Sequence, residues 1–390
     1  WITVDRDEHG EVTKCEVHPE LQAELERKET LRKQGIVPET IFTDTLKDER
    51  KKLTKIPKQG STRVFCACPV DYTVAMRQNY LHFCAAFMKA RLSVNSAVGI
   101  NAKGPEWTAL YRKLTKVSPI NIVTMDYSNF GPAFNAKVSA SAVELMVRWT
   151  LKNVEDVNET ELRAILQECT NSVHAAGATV YRQFAGSPSG APITTIINTL
   201  VNLLYLHISW EALAHQTALI EHPDIYDVFR KNVALVCYGD DFIASVSDKY
   251  RKIFNTNTIR NFLAQYKIAA TSADKDLVDV PDFVPISHAS FLKRTFRCHD
   301  TRSELVLGPL DAEALNEIPK WIWQCADKKT ATRINVNSAL MEAHAYGPKF
   351  FETYKQKLND ALARAKIDPV SSTWKTLDDM WFENSLTDNY

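Results

Sequence analysis

Residues 1–46 mix acids and bases, with one helical piece around Glu20 to Lys33 and an irregular tract near Gly35 to Pro38. Two helical stretches follow, around Val74 to Arg91 and Glu106 to Leu114. The short, β-branched run from Pro119 to Asp126 predicts a buried strand that ends on an acid. Ser141-Ala-Val-Glu144 and Asn158-Glu-Thr-Glu161 have capping-box spacing and predict helices running to about Leu151 and Cys169. Gly186-Ser-Pro-Ser-Gly190 predicts a loop, and the apolar run after it a helix. Because Thr194, Thr195, Asn198, Thr199, Asn202 and His207 interrupt Ile193 to Ile208, that helix reads as buried in protein rather than as a membrane span. Asn232 to Ser247 reads as strand, tight turn at Gly239-Asp240, strand. Phe291 to Arg297 and Ser303 to Leu307 predict a short strand pair, and Asp311 to Lys366 predicts helices. No internal repeat or low-complexity tract interrupts this order.

Composition narrows the class. With 390 residues, 45% hydrophobic and 24% charged, the chain is composed like a soluble globular protein. It exceeds the roughly 250–300 residues at which single cores stop growing, so two or three lobes with a cleft are expected. Forty-seven basic and 47 acidic residues cancel, which excludes coating nucleic acid through overall charge but not through a local channel. Such a channel has a candidate: Lys47, Arg50, Lys51, Lys52, Lys55, Lys58 and Arg63 face only Asp48 and Glu49, a local excess of five positive charges. The eight cysteines show no C-x-x-C pair and no zinc-ligand spacing, and Cys298-His299 has no metal partner at useful spacing. Free thiols in a reducing compartment are expected. No signal peptide is visible. The chain begins at Trp1 without an initiator methionine, so a processed product or a fragment is expected.

Adjacent aspartates at the apex of an apolar hairpin repel one another and lose hydration unless a cation meets them. Mg²⁺ suits carboxylate oxygens and keeps positions open for phosphate oxygens, and Asp126, at the end of a neighbouring strand, could complete a two-metal site with Asp240 and Asp241. The bland alternative is that Asp240 and Asp241 form a turn and Asp126 merely ends a strand. Thr194 and Asn198, four apart, share a helix face, which sets a hydroxyl and an amide side by side where they could meet a polar ligand. Their bland alternative is capping and bridging, with Asn202, inside a helical core.

At these residues the chain resembles the viral RNA-dependent RNA polymerases. Tyr238-Gly239-Asp240-Asp241 is similar to their metal-binding hairpin, and Gly186-Ser-Pro-Ser-Gly-Ala-Pro-Ile-Thr194 to Asn198 to their sugar-reading loop and helix. Met125-Asp126-Tyr-Ser-Asn-Phe-Gly-Pro132 resembles the first palm motif, Thr271-Ser-Ala-Asp-Lys275 the fourth, Phe291-Leu-Lys-Arg294 the fifth, and Lys47 to Arg63 the basic fingers motif. Six collinear motifs span about 250 residues. Asn-Phe-Gly-Pro, with Val74-Ala-Met-Arg77, points to the picorna-like group, on the side of the insect-infecting dicistroviruses and iflaviruses.

The resemblance implies an α+β right-hand polymerase with an antiparallel palm sheet, fingers and a helical thumb. Its parts would be partial fingers leading into the palm (1–118), palm (119–138), a fingers insertion (139–180), palm (181–300) and thumb (301–390). Asp126, Asp240, Asp241 and the Tyr127 carbonyl would hold two Mg²⁺ ions, with Mn²⁺ able to substitute, and Lys275 would protonate the leaving pyrophosphate. Lys55, Arg63, Ser189, Thr194 and Asn198 would bind the ribonucleoside triphosphate. Lys47, Lys51, Gly186, Lys293 and Arg294 would contact template and primer RNA. Release from a polyprotein, a viral protein primer, and replication proteins on membranes of the host cytoplasm follow from the same resemblance, with no transmembrane segment in the chain itself. Gly131 stands where many relatives carry a second aspartate, which removes one carboxylate from the sugar side. Nothing before Lys47 resembles the template-guiding motif, so the amino-terminal part of the fingers is expected to be missing. The thumb aromatics, Trp321, Trp323, Tyr346, Phe350, Phe351, Tyr354, Trp374 and Trp381, are expected in its core. Two rivals are a non-catalytic RNA-binding fragment and a reverse transcriptase.

Overall fold

The apolar hairpin expected from Asn232 to Ser247 is present, and the strand ending at Asp126 pairs with its second arm. A computed structural model describes the chain apart from residues 50–52, 54–55, 58–59, 129, 133, 217–223, 273–279 and 388–390. In chain order its first elements are β1 (Ile2–Arg6), β2 (Val12–Val17), α1 (Pro19–Lys33), β3 (Ile41–Leu46), β4 (Val64–Ala67), α2 (Val70–Ala90), α3 (Pro105–Thr115) and β5 (Ile122–Tyr127). Next come α4 (Ala136–Asn153), α5 (Glu159–Thr170), β6 (Val173–Ala176), β7 (Thr179–Arg182), α6 (Thr194–Gln216), α7 (Ile225–Asn232), β8 (Val233–Tyr238) and β9 (Asp241–Val246). The last are α8 (Thr256–Gln265), β10 (Ala270–Ser272), β11 (Arg297–Cys298), β12 (Val306–Leu307), α9 (Ala312–Glu317), α10 (Lys328–Ala343), α11 (Pro348–Arg364) and α12 (Trp374–Thr387). Helices and largely antiparallel strands mix as an α+β fold requires.

The contacts group into two units. The first comprises Trp1–Ala90, Ser128–His207 and Tyr238–Asp240. Its main sheet has the order β4-β3-β6-β7, with β3 and β6 parallel and the other pairs antiparallel. Phe42, Tyr72, Tyr80, Phe83, Met146 and Ile165 are buried around it. The helices are pinned by polar ties as well as apolar contact. Tyr72 and Tyr80 donate to the carbonyls of Ile165 and Leu162 at 2.9 and 2.8 Å. Arg32 meets Glu168 through Nε at 2.6 Å and NH2 at 3.0 Å, both side chains buried. Removing either partner would strand a charge in the core.

The second unit comprises Arg91–Tyr127, Ile208–Cys237 and Asp241–Tyr390. Its sheet has the order β10-β5-β9-β8, and the arms of the hairpin, Val-Ala-Leu-Val-Cys and Phe-Ile-Ala-Ser-Val, are buried throughout. Such an all-apolar run needs cover on both faces, and α3 packs against β9 while α8 packs against β5 and β10. Trp210 is enclosed by Phe229, Tyr250 and Phe254 in edge-to-face contacts. A separate helical cluster gathers Leu315, Val336, Leu340, Phe351 and Leu362 from α9 to α11.

Four local expectations change. Ser141 does not open a helix: Asn135 caps α4, its Oδ1 accepting from the amides of Lys137 and Val138, and the Ser141 hydroxyl donates back to the Lys137 carbonyl. Asn158 does cap α5, but Glu161 supplies no reciprocal bond, and its carboxylate accepts from Asn79 instead. Trp321 and Trp323 are 53% and 82% exposed, because they follow the short 3-10 turn Ile318–Lys320 and lie outside any helix, and Phe350 is exposed on α11, whereas Phe351, Tyr354 and Trp381 are buried. The region before residue 47 contains three strands besides its helix. All eight cysteines are free. Among the described residues no helix is long and apolar enough to cross a membrane.

Candidate active site

The β5–β9 register fixes the acids of the second unit. Met125 pairs with Phe242, so one step along the antiparallel ladder Asp126 stands opposite Asp241. Both are half-buried. Like charges facing each other across neighbouring strands destabilise the pair unless a cation or donors meet them. One donor is the Leu292 amide, 2.7 Å from Asp241 Oδ2. Leu292 and Lys293 form a two-residue turn closed by the reciprocal Phe291–Arg294 backbone bonds, both 2.9 Å, and both have positive φ, 54° and 58°. That conformation is costly for side chains other than Gly, Asn or Asp. Here it aims a backbone N–H at Asp241 and leaves Lys293 exposed.

Arg294 is engaged otherwise. Its guanidinium binds Glu342 of α10 in a fork at 2.8 and 3.1 Å and also reaches the Gly308 carbonyl at 2.8 Å. Lys103 meets the same carboxylate at 2.7 Å. Burial by itself would raise Glu342, but the two cations outweigh it and hold the carboxyl below its usual range. Tyr127 closes β5 with a buried ring against Phe242, 6.3 Å between centroids. On the other side, β10 sets Thr271 opposite Asp126.

The tip of the hairpin, Tyr238–Asp240, belongs to the first unit. Its two-residue turn has Gly239 at φ 60° with Asp240 outside the positive region, the requirement of a hairpin turn that takes glycine first. Helix α6 fastens it. Thr199 Oγ1 accepts from the Gly239 amide at 2.8 Å, and Asn202 Nδ2 donates to the Gly239 and Asp240 carbonyls at 3.1 Å each. Both side chains are fully buried. Neither was singled out from the sequence as a site residue. The available signal was their recurrence, with Thr195 and Asn198, along an otherwise apolar helix.

The remaining candidates of this unit lie on α6, on the loop before it and beside the β3–β4 pair. Asn198 lies half-buried on α6, and its Oδ1 is a buried acceptor without a hydrogen-bond partner. Thr194 starts α6, its hydroxyl donating to the carbonyls of Pro188 and Ala191 at 2.7 and 2.8 Å. Ser189 ties the preceding loop to β4: its hydroxyl accepts from the Cys66 amide at 3.2 Å and donates to the Val64 carbonyl at 3.4 Å. Gly190 explains why this loop needs glycine, since a Cβ there would stand 2.1 Å from the Cys66 carbonyl oxygen. Gly186, at φ 102°, lies against the backbone of Gly131 and Pro132 in the same way. Arg63 is exposed, and its Nε donates to Glu49 at 2.7 Å. That carboxylate pushes the guanidinium's pKa up, and the charge of Asp240 adds to the effect. Lys47 extends the β3–β4 pairing, its amide donating to the Arg63 carbonyl at 2.9 Å. Lys51, Lys55 and Lys275 lie outside the described residues.

The structure therefore gathers Asp126, Tyr127, Asp241 and Lys293 in one unit and Asp240, Arg63, Ser189, Thr194 and Asn198 in the other. The donor set of the first group, two carboxylates and a strand-end carbonyl, is all oxygen, which fits Mg²⁺ or Mn²⁺ rather than a softer ion.

Known proteins resemble this chain over most of its length. A family profile described as viral RNA-dependent RNA polymerase matches residues 5–363. The genome polyprotein of deformed wing virus is 37% identical over 93% of this chain, and the replicase polyprotein of cricket paralysis virus is 29% identical over 91%. The chain spans only 12% and 20% of those polyproteins. A solved structure, the Sicinivirus 3Dpol RNA-dependent RNA polymerase, superposes with a TM-score of 0.78 at 21% identity, covering 98% of this chain and 74% of that one, so the two share a fold. The profile spans most of the chain, and the chain belongs to the picorna-like viral RNA-dependent RNA polymerases, a nucleotidyltransferase family.

Proposed function

We propose that this chain adds ribonucleoside monophosphates to the 3′ end of an RNA primer under the direction of an RNA template, releasing pyrophosphate. The observation that carries the reading is the β5–β9 register that sets Asp126 opposite Asp241, one residue after the Gly239–Asp240 turn. Asp126, Asp240, Asp241 and the Tyr127 carbonyl would hold two divalent ions, which when bound supply Lewis-acid activation of the primer hydroxyl and stabilisation of the leaving pyrophosphate. The chain's own work is placement. Thr199 and Asn202 fix the backbone of the turn, and the Leu292 amide orients Asp241. Rigid carboxylates of this kind supply proximity without reorganisation at the moment of reaction.

The unpartnered Oδ1 of Asn198 supports sugar reading, because a ribose 2′-hydroxyl is a donor of the type it lacks. Arg63 and Lys55 would take the triphosphate, Lys275 would deliver a proton to pyrophosphate, and Lys47, Lys51, Gly186 and Lys293 would follow the RNA. Arg294, committed to Glu342, acts by holding the turn that presents Lys293. The division into fingers, palm and a thumb after about residue 300 belongs to the same reading, as do protein priming and assembly on membranes of the host cytoplasm.

The test is primer extension on a defined RNA template with Mg²⁺. Asp126→Asn and Asp240→Ala should each abolish extension while far-UV circular dichroism and RNA binding persist. Near-normal turnover in either variant would overturn the metal-ligand assignment. RNA binding by the wild-type chain with no extension would favour the non-catalytic alternative, and a preference for deoxynucleotides would favour a reverse transcriptase.

A further inference from the structure

The sheet of the first unit carries a second constellation that the sequence spacing concealed. Asp44 and Cys66 are direct cross-strand partners on β3 and β4. Phe42, two residues before Asp44 and therefore on the same face, pairs with His174 on β6, which in turn pairs with Tyr181 on β7. Four strands thus deliver a carboxylate, a thiol, an imidazole and a phenol to one side of the sheet. A carboxylate oxygen of Asp44, the Cys66 sulfur and a ring nitrogen of His174 all lie within 4.8 Å of one another. His174 Nδ1 is 2.9 Å from Asp44 Oδ1, and Tyr181 donates to Asp44 Oδ2 at 2.5 Å. The other ring nitrogen, Nε2, is 2.8 Å from Ser172 Oγ. That is the arrangement by which metal-binding histidines are held, one nitrogen anchored by an outer partner and the other left for the ion. The imidazole is fully buried, stacked between Phe42 and Tyr181 at 5.7 and 5.1 Å, while Cys66 and Tyr181 leave a path to solvent.

We propose that Asp44, Cys66 and His174 form a zinc site with a fourth, solvent-derived ligand. One sulfur, one nitrogen and one oxygen suit Zn²⁺ better than the all-oxygen preference of Mg²⁺. On loading, the Cys66 thiol loses its proton to solvent and becomes thiolate. The His174 proton sits on Nε2, where the Ser172 hydroxyl turns to accept it, so Nδ1 offers its lone pair. Binding therefore releases about one proton per ion and tightens as pH rises. Metal-free, the same atoms revert to a hydrogen-bonded network around Asp44. The ion would brace β3, β4 and β6 together. It would also steady the Cys66 backbone, on which Ser189 and Gly190 rest; this last consequence rests on the nucleotide-binding reading given above.

The experiment uses the full chain, stripped with chelator and titrated with Zn²⁺ and with Co²⁺ as a spectroscopic probe. The expected result is one tight ion per chain, a thiolate-to-cobalt charge-transfer band, and a rise in Tm with Zn²⁺. Cys66→Ser should lose all three, and His174→Ala should weaken binding at least tenfold, while the double variant Asp126→Asn, Asp240→Ala keeps the band. Absence of the band in the wild-type chain, or Zn²⁺ affinity unchanged by Cys66→Ser, would overturn the site. Because none of these readouts needs polymerase activity, they stand apart from failure of the catalytic reading.

Discussion

Two asparagines one helical turn apart on α6 separate support of the turn from the proposed recognition of the sugar. Asn202 is buried and spends its amide N–H groups on the Gly239 and Asp240 carbonyls, while Asn198 keeps a buried oxygen without a partner. Losing Asn202 removes its hydrogen bonds to two turn carbonyls, at roughly 1–3 kcal/mol where a buried polar group is left behind. Losing Asn198 breaks no hydrogen bond from its Oδ1. Asn202→Leu should therefore lower both stability and extension, the single-turnover rate falling at least tenfold. Asn198→Ala should leave the denaturation midpoint nearly unchanged and erode the preference for ribonucleotides over deoxynucleotides. Equilibrium denaturation together with single-turnover extension on both nucleotide types checks the contrast. Equal losses of stability would show that the two residues act alike. The helical spacing already put Thr194 and Asn198 on one face, but Asn202 read as a bridge inside the core. What it bridges is the turn of a hairpin whose place no local pattern reveals.

At the scale of elements, the legible parts were those with dense local signals. The buried hairpin β8–β9, the strand β5 and the long apolar helix α6 stand out because complete apolar runs admit few alternatives. Strands β3 and β4 did not, since they are short and largely solvent-facing and β3 completes its pairing with β6, far along the chain. Ser141 misled because its box spacing is equally compatible with mid-helix, and the stronger cap at Asn135 came first. Buried polar ties between elements were invisible for the same reason. Lys113 of α3 is one: its ammonium donates to Asn95 Oδ1 at 2.7 Å, and to the Leu92 carbonyl, bracing the segment whose Asn95 carbonyl accepts from the Cys237 amide of β8 at 2.9 Å. Burial lowers its pKa from 10.5 to about 8. The unfolded chain keeps that proton to higher pH, so between these values it binds more protons than the fold, and stability rises with pH. The burial penalty is fully present below about pH 8. Lys113→Met should remove the rise, a difference of up to about 3 kcal/mol between pH 8 and 10 seen by denaturation of the two proteins side by side. Parallel curves would show that Lys113 titrates as it does in solution.

For the molecule as a whole, a formal charge of zero has to be reconciled with the polyanionic substrate of the proposed function. Phosphate contacts release condensed counterions, so affinity depends on which cations reach the backbone and not on the sum over the chain. Some of this chain's cations are already committed to carboxylates of the protein. Arg32 serves Glu168, Lys28 serves Asp71, and Arg294 with Lys103 serves Glu342. Lys293, one residue from Arg294, is instead exposed on the strained turn. Binding to a primer–template should weaken steeply with salt despite the neutral total. Lys293→Ala should reduce the slope of log affinity against log salt by about one, the signature of a lost phosphate contact. Arg294→Ala should leave most of that slope and act through stability, because it takes the two-bond guanidinium from the Glu342 carboxylate and leaves Lys103 as its cation, a loss of about 1.5–3 kcal/mol for hydrogen bonds to a charged group. Salt titrations of RNA affinity and urea denaturation on the two variants distinguish these fates. If Arg294→Ala reduced the slope while leaving stability intact, its guanidinium would exchange Glu342 for phosphate when RNA binds, and the neighbouring lysine would lose its place as the principal contact.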